Sequence, residues 1–286
     1  MVVYLWSELI DGKIPSDCTE LYCHYNNLSS LPELLQTLTY LDCSNNKLRS
    51  LPELPKTLLK LDCRNNKLNE LPELPTTLIE LYCPFNKLNN LPELLQTLLE
   101  LDCRYNILNE LPKLPQTLKY LYCDCNKLNE LPELPQTLKY LHCYKNNLNY
   151  LPKLPQKLED LYCYNNKLNE LPELPQTLKI LKCNNNLSNL PELPQTLKYL
   201  DCYNNKLNEL PELPQTLIQL YCDKNKLNEL PELPQTLKIL KCDYNNIKYL
   251  SPNNCYIIKK LEYAGLLNNP FSANFTTDKE FISSLE

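Results

Sequence analysis

The chain has 286 residues, with 24 Pro, only two Gly, and a formal net charge of −5. Two glycines cannot build a Gly-rich phosphate loop, and acids and bases mixed along the chain leave no basic stripe to track nucleic acid. No apolar run approaches the roughly 18 residues of a membrane-spanning helix. The expected partners therefore include neither nucleic acid nor membrane.

Residues 1–17 come first. Val2, Val3, Leu5, Trp6, Leu9 and Ile10 make this segment apolar. It is read as an N-terminal cap, with Trp6, the only Trp, covering the first repeat. The start lacks a basic n-region and Glu8 interrupts its apolar run, which argues against a signal peptide. An intracellular location is the resulting expectation.

Residues 18–250 repeat. The core L-x-C-x-x-N occurs twelve times, its first Leu at 21, 41, 61, 81, 101, 121, 141, 161, 181, 200, 220 and 240. The period is 20 except between Leu181 and Leu200, where one residue is missing before Leu187. In Tyr40-Leu41-Asp42-Cys43, alternation sends Leu41 and Cys43 to one face and Tyr40 and Asp42 to the other, so each copy predicts one short strand. Leu51-Pro52-Glu53-Leu54-Pro55 cannot be helix interior, because each Pro lacks an N–H and fixes φ. An extended, polyproline-like return is expected, with Leu51, Leu54 and Leu58 pointing inward. No copy can bury these leucines alone, whereas stacked copies can. The fold class is a β-dominated repeat solenoid of the α/β class, with one parallel strand per 20-residue repeat.

Residues 251–286 close the chain. Ile257, Ile258, Leu261 and Leu266 have helix-like spacing between Pro252 and Pro270, so a helix within 254–267 and a tail are expected as a C-terminal cap.

The chemistry-bearing residues read as structural. Of fifteen Cys, twelve occupy the inward slot of the repeat, from Cys23 to Cys242, where a free Cys packs as a small hydrophobe. Zinc-type C-x2–4-C pairs are missing; Cys123-Asp124-Cys125 is only C-x-C, and Cys125 falls at an outward position. His24 and His142 are six repeats apart and cannot share a site. No hydrolase, metalloprotease or nucleotide-binding motif occurs, so neither a catalytic residue nor a cofactor or metal is assigned. Glu53, Glu73 and Glu93 fall in the linkers and read as a solvated acidic face.

The pattern L-x-x-L-x-L-x-x-N-x-L, carried by Leu38, Leu41, Cys43, Asn46 and Leu48, resembles the leucine-rich repeat over about residues 14–250. The short period and LPxLPxxL linker are similar to the bacterial-effector type known from Yersinia, Shigella and Salmonella. The Cys column and the AT-rich bias toward Lys, Asn and Tyr resemble repeat proteins of giant amoeba viruses such as Mimivirus. The resemblance implies that Asn46, Asn66, Asn86, Asn106, Asn126, Asn146 and Asn166 form a ladder bonding the backbones of neighbouring turns, with Asn185 or Asn186 serving the short copy. It also implies a protein-binding module that uses a concave strand face. Some relatives append a ubiquitin-ligase domain; about 36 residues follow the last repeat here, too few for one. A structural, virion-associated protein is the further alternative.

Four outward slots per copy vary while the framework hardly changes. They hold 15 of the 20 Tyr, a residue that offers wide contact area at small rotamer cost. The density peaks at Tyr120, Tyr122, Tyr140, His142, Tyr144, Tyr162 and Tyr164. With Tyr82, Tyr199 and Tyr203 these are the candidate binding residues. The expected partner is another protein; nothing in the pattern specifies its identity or the chain's oligomeric state.

Overall fold

A computed structural model describes residues 2–6 and 13–285. The chain divides into two compact units, Met1–Asn147 and Leu148–Glu286.

The first unit carries eight three-residue strands: β1 (Val3–Leu5), β2 (Glu20–Tyr22), β3 (Tyr40–Asp42), β4 (Lys60–Asp62), β5 (Glu80–Tyr82), β6 (Glu100–Asp102), β7 (Tyr120–Tyr122) and β8 (Tyr140–His142). Each pairs in parallel with the next, Leu21 opposite Leu41, Leu41 opposite Leu61, and so along the sheet. The ladder runs one residue beyond the strand, since Cys43 N–H donates to the Asp62 carbonyl at 2.8 Å and Cys63 N–H to that of Tyr82 at 2.8 Å. Bonding between copies continues into the turn: the residue two after each Cys is left-handed, with φ of 56° at Asn45 and 53° at Asn65, and still donates to the next copy, Asn45 N–H to the Arg64 carbonyl and Asn65 N–H to that of Pro84, both at 2.9 Å.

The inward rows are dry. Leu41, Cys43, Leu48 and Leu58 are all 0 % exposed, as are their counterparts Leu121, Cys123, Leu128 and Leu118. Each fully buried Leu contributes about 1.5–3 kcal/mol relative to an exposed one, upper-bound figures given a denatured chain that is itself partly compact. The linkers run without helix or ladder, as their prolines require. Each ends in a turn in which Leu58 N–H reaches the Pro55 carbonyl at 3.0 Å. There the Thr57 hydroxyl donates to the Leu38 carbonyl of the preceding copy at 2.7 Å, so even the turns are tied from repeat to repeat.

At the N-terminal edge β1 adds a strand with Tyr4 opposite Leu21. Val2 and Thr19 fasten it, through Val2 N–H to Thr19 Oγ1 at 2.8 Å and Thr19 N–H to the Val2 carbonyl at 2.9 Å. The register turns Val3 and Leu5 outward, and they are 47 % and 45 % exposed. They do not cover the core as their composition suggested; alternation gives the inward place to Tyr4. Trp6 is partly exposed, and Leu9 and Ile10 lie outside the described residues.

The second unit holds β9 (Asp160–Tyr162), β10 (Ile180–Lys182), β11 (Tyr199–Asp201), β12 (Gln219–Tyr221), β13 (Ile239–Lys241), α1 (Pro252–Ile258), β14 (Tyr263–Gly265) and α2 (Asp278–Ser284). Its strands are again parallel and in register, Leu181 opposite both Leu161 and Leu200. The short copy keeps that register because the residue it lacks is the left-handed one: described residues of positive φ recur at Asn165 and Asn204 with none between.

The repeat continues past residue 250. Helix α1 is short: Ser251 caps it, accepting from Asn254 N–H at 3.2 Å. The helix expected within 254–267 gives way to β14, where Ala264 stands opposite Leu240 and Leu266, 0 % exposed, fills the Cys slot. Gly265 leaves room there for Asp243: a Cβ would lie 2.3 Å from its Oδ2, so the carboxylate would have to move aside. Asn269 then serves as one more ladder residue, its amide donating to the Cys242 carbonyl at 2.9 Å and its Oδ1 accepting from Ile247 N–H at 3.2 Å. Helix α2 closes the edge: Phe281 packs on Phe271 and Phe275 at 5.0 and 5.2 Å, and Asp278 Oδ1 accepts from Leu266 N–H at 2.8 Å.

Candidate interaction surface

The strands position two kinds of row. Behind the sheet, the Asn side chains bond backbone across neighbouring turns. Asn66 Nδ2 donates to the carbonyls of Cys43 at 2.9 Å and Cys63 at 3.1 Å, while its Oδ1 accepts from Leu48 N–H at 3.0 Å. Asn46, Asn86, Asn106, Asn126 and Asn146 repeat this in the first unit. In the second, Asn166 accepts from Leu148 N–H at 3.1 Å, and Asn185, not Asn186, serves the short copy through the Cys163 carbonyl at 3.1 Å.

On the outward side, all ten nominated residues are half-buried. The first unit holds Tyr82, Tyr120, Tyr122, Tyr140, His142 and Tyr144. Tyr120 and Tyr140 lie ring to ring at 5.1 Å, and Tyr122 meets His142 edge-on at 5.0 Å. Tyr82 donates to Glu80 at 2.9 Å. The second unit holds Tyr162, Tyr164, Tyr199 and Tyr203, and Tyr199 stacks on Tyr221 at 5.4 Å. A hollow of about 260 Å³ opens there between Asp201, Tyr203, Tyr221, Asp223 and Lys241.

Cations interleave with these rings, which the sequence reading missed. Lys60 lies over Tyr40 and Tyr82, Arg104 over Tyr122, Lys182 over Tyr162 and Tyr199 at 4.6 and 5.0 Å, and Lys241 over Tyr221 and Tyr263. The signal was available: outward slots on adjacent copies meet 20 residues apart, so a Lys one period from a Tyr must lie beside it. Arg64 and Arg104 are in turn clamped on the buried carboxylates of Asp62 and Asp102 two residues earlier, at 2.5 and 2.8 Å. Such pairs fix the rings and also occupy the charges, so the face presents aromatic surface more than free ions.

Burial shapes the chemistry. Asp124 is fully buried and its two oxygens lack a well-formed hydrogen bond. Burial raises its pKa to about 6, against the Tyr144 hydroxyl and the Arg104 guanidinium, which oppose the shift. All fifteen cysteines are free. Burial pushes the column thiols up, Cys23 and Cys163 to about 12, which suppresses the thiolate needed for nucleophilic or metal chemistry. Among the described residues no three His, Cys, Asp or Glu are grouped to hold a metal ion, and no helix is long and apolar enough to cross a membrane.

No protein-family model matches the chain, and no curated sequence does. Solved structures do. YopM from Yersinia enterocolitica WA-314 is 37 % identical with a TM-score of 0.75, over 88 % of this chain and 60 % of that one. The leucine-rich effector protein YopM from Yersinia pestis is 33 % identical with a TM-score of 0.69, over 88 % of this chain and 84 % of that one. The functional domain of InlJ from Listeria monocytogenes, which includes a cysteine ladder, is 26 % identical with a TM-score of 0.67, over 89 % and 64 %. The chain thus spans less than two thirds of the first of these. With the 20-residue repeat, its parallel three-residue strands and the Asn ladder shared across both units, these likenesses mean that the chain belongs to the leucine-rich repeat family.

Proposed function

We propose that this chain is a non-catalytic protein-interaction module whose tyrosine-rich strand face holds a partner protein. The observation that carries the reading is the contrast between rows. The inward Leu and Cys and the ladder Asn hardly change from copy to copy, while the outward slots change freely yet collect 15 of 20 Tyr. The ten nominated side chains are half-buried, and cations lie over the Tyr82, Tyr122, Tyr162 and Tyr199 rings, so little side-chain freedom remains there to be lost on binding. The fold shared with the leucine-rich effector YopM, and column thiols held in their unreactive form by burial, support a role without catalysis.

The test is affinity capture with mass spectrometry, followed by variants against the captured protein. Tyr122→Ala with Tyr144→Ala in the first unit, and Tyr162→Ala with Tyr199→Ala in the second, should weaken capture by roughly tenfold or more, as truncated aromatic anchors do. Glu133→Ala with Glu173→Ala, on the linkers, should leave it intact. Loss of the partner by the linker variant alone overturns the assignment of the face. A virion-associated structural role is favoured only by the Cys column and the AT-rich composition; stoichiometric recovery in particles, without a captured partner, would support it instead.

A further inference from the structure

Consecutive turns of the first unit depart from the repeat in one direction. In the left-handed row, where neighbouring copies have Asn45 and Asn65, stand Phe85 and Tyr105, with φ of 56° and 52°. Two residues later, where Lys47, Lys67, Lys87 and Lys127 recur, stands Ile107. Phe85 is 50 %, Tyr105 39 % and Ile107 42 % exposed. The two rings stack across adjacent copies at 4.3 Å and 11°. Asn accepts a left-handed backbone far more readily than an aromatic residue does. A lone ring in this tolerant row needs no explanation, but two rings one period apart that stack on each other, strain both backbones and still remain partly in solvent are a pointer to function.

A cationic hollow of about 210 Å³ lies on the preceding turns and reaches the Phe85 turn at Lys87; it is lined by Arg49, Lys67, Asn69 and Lys87. Arg49 is a second departure, since the same slot holds Asn69, Asn89, Asn109 and Asn129 in the following copies. The lining contains no carboxylate. Among the described residues Arg49, Lys67 and Lys87 form no ion pair, whereas Arg64 and Arg104, the other two arginines of the chain, are bound to Asp62 and Asp102. Lys87 joins the two features, lining the hollow and following Phe85 by two residues.

We propose that this turn edge docks an acidic peptide segment of a partner. An apolar side chain of the peptide lies on Phe85, Tyr105 and Ile107, and its carboxylates meet Arg49, Lys67 and Lys87. Charge complementarity selects this occupant: a local excess of unpaired cations sits on a chain of net charge −5. Tyr105 is also one of the outward tyrosines, but Phe85, Ile107 and the residues of the hollow are not among them, so the two surfaces are told apart by variants at Phe85, Ile107 and Arg49.

Fluorescence anisotropy with the full chain tests the proposal. The probe is a fluorescein-labelled peptide of Glu and Asp around a central Phe-Leu pair. The same peptide with Gly-Gly at the centre and a thymidine oligonucleotide serve as counter-probes. Binding of the first probe is expected, with loss on raising salt. Phe85→Asn, Tyr105→Asn and Ile107→Lys together install the residues found at these slots in the copy of Asn65 and Lys67, so the fold is retained, and they should weaken binding by about tenfold or more. Arg49→Asn with Lys87→Asn should do the same, while Tyr120→Ala with Tyr140→Ala should not. The proposal is overturned if the first probe does not bind, if the restored variant binds it equally well, or if the oligonucleotide binds more tightly.

Discussion

Asn65 and Asn66 are adjacent and identical in type, yet their rows in the first unit behave in opposite ways. Asn66 is 9 % exposed and bonds backbone groups of both its own turn and the preceding one. Its row contains Asn in every copy of the unit. Asn65 is exposed, with φ of 53° and a side-chain bond only to Asn45 at 2.7 Å. Its row contains Tyr25, Asn45, Asn65, Phe85, Tyr105, Cys125 and Lys145. The difference teaches what fixes a residue in a repeat. Where the side chain satisfies buried backbone, only one amide of one length serves. Where only a backbone angle is demanded, other residues are tolerated at about 1–2 kcal/mol each.

The largest expected effect tests the fixed row. Asn126→Leu would leave the Leu108 N–H and the Cys103 and Cys123 carbonyls without their side-chain partner. A loss of about 3 kcal/mol or more is expected, since each unsatisfied buried group costs roughly 1–3 kcal/mol. Asn65→Ala, in the neighbouring row, should cost about 1 kcal/mol. Equal losses in urea melts would erase the distinction between the rows.

A third row sharpens it. Asp124 lies two residues before Asn126 and is buried without a well-formed hydrogen bond, so the Tyr144 hydroxyl and Arg104 only partly offset its burial. Its folded pKa of about 6 exceeds the unfolded value of about 3.9. The folded state therefore holds the proton more tightly, and stability contributed by this group rises as pH falls from about 7 toward 4. The opposite sign would hold for a carboxylate with a lowered pKa. Asp124→Asn should raise stability at pH 7 by roughly 2 kcal/mol and flatten the pH dependence between 4 and 7. If wild type and variant have parallel profiles, Asp124 does not titrate as its burial demands.

The tolerant row should be improvable. Tyr244 has φ of 55° and is 56 % exposed, so Tyr244→Asn should stabilise by about 1 kcal/mol. A lower melting temperature would mean that the ring makes a contact worth more than its strain. The smallest effect is kinetic. Cys123 is in the core and Cys125 in the left-handed row, half-buried, its pKa raised by burial. Brief alkylation with mass mapping should label Cys125 before any column thiol; rapid labelling of Cys63 or Cys163 in the native protein would contradict their burial.

Period and alternation made the strands legible, because a twelvefold pattern averages away the ambiguity of any one copy. The inward Leu and Cys rows followed from the same reasoning. The final degenerate copy was hidden: Ala264 and Leu266 replace Leu and Cys, and α1 lengthens the spacing, so only Asn269 retained the signal. Val3 and Leu5 misled because composition alone does not say which way an edge strand faces. Seven of the ten nominated residues flank the inward Leu of a strand, where alternation applies; Tyr144, Tyr164 and Tyr203 lie beyond the strand ends. Phe85 gave no signal by itself, because its meaning comes from Tyr105 one period later, on which it stacks.

The short copy has a consequence for how such chains change length. Because the omitted residue belongs to a turn that leaves both flanking strands in register, a single-codon deletion there is absorbed locally, and every later repeat resumes phase. The turn acts as an expansion joint. Insertions or deletions within it, in this chain or in engineered arrays built from it, should be heritable without rebuilding the sheet, whereas one residue lost from a strand would turn the rest of that strand's side chains to the wrong face.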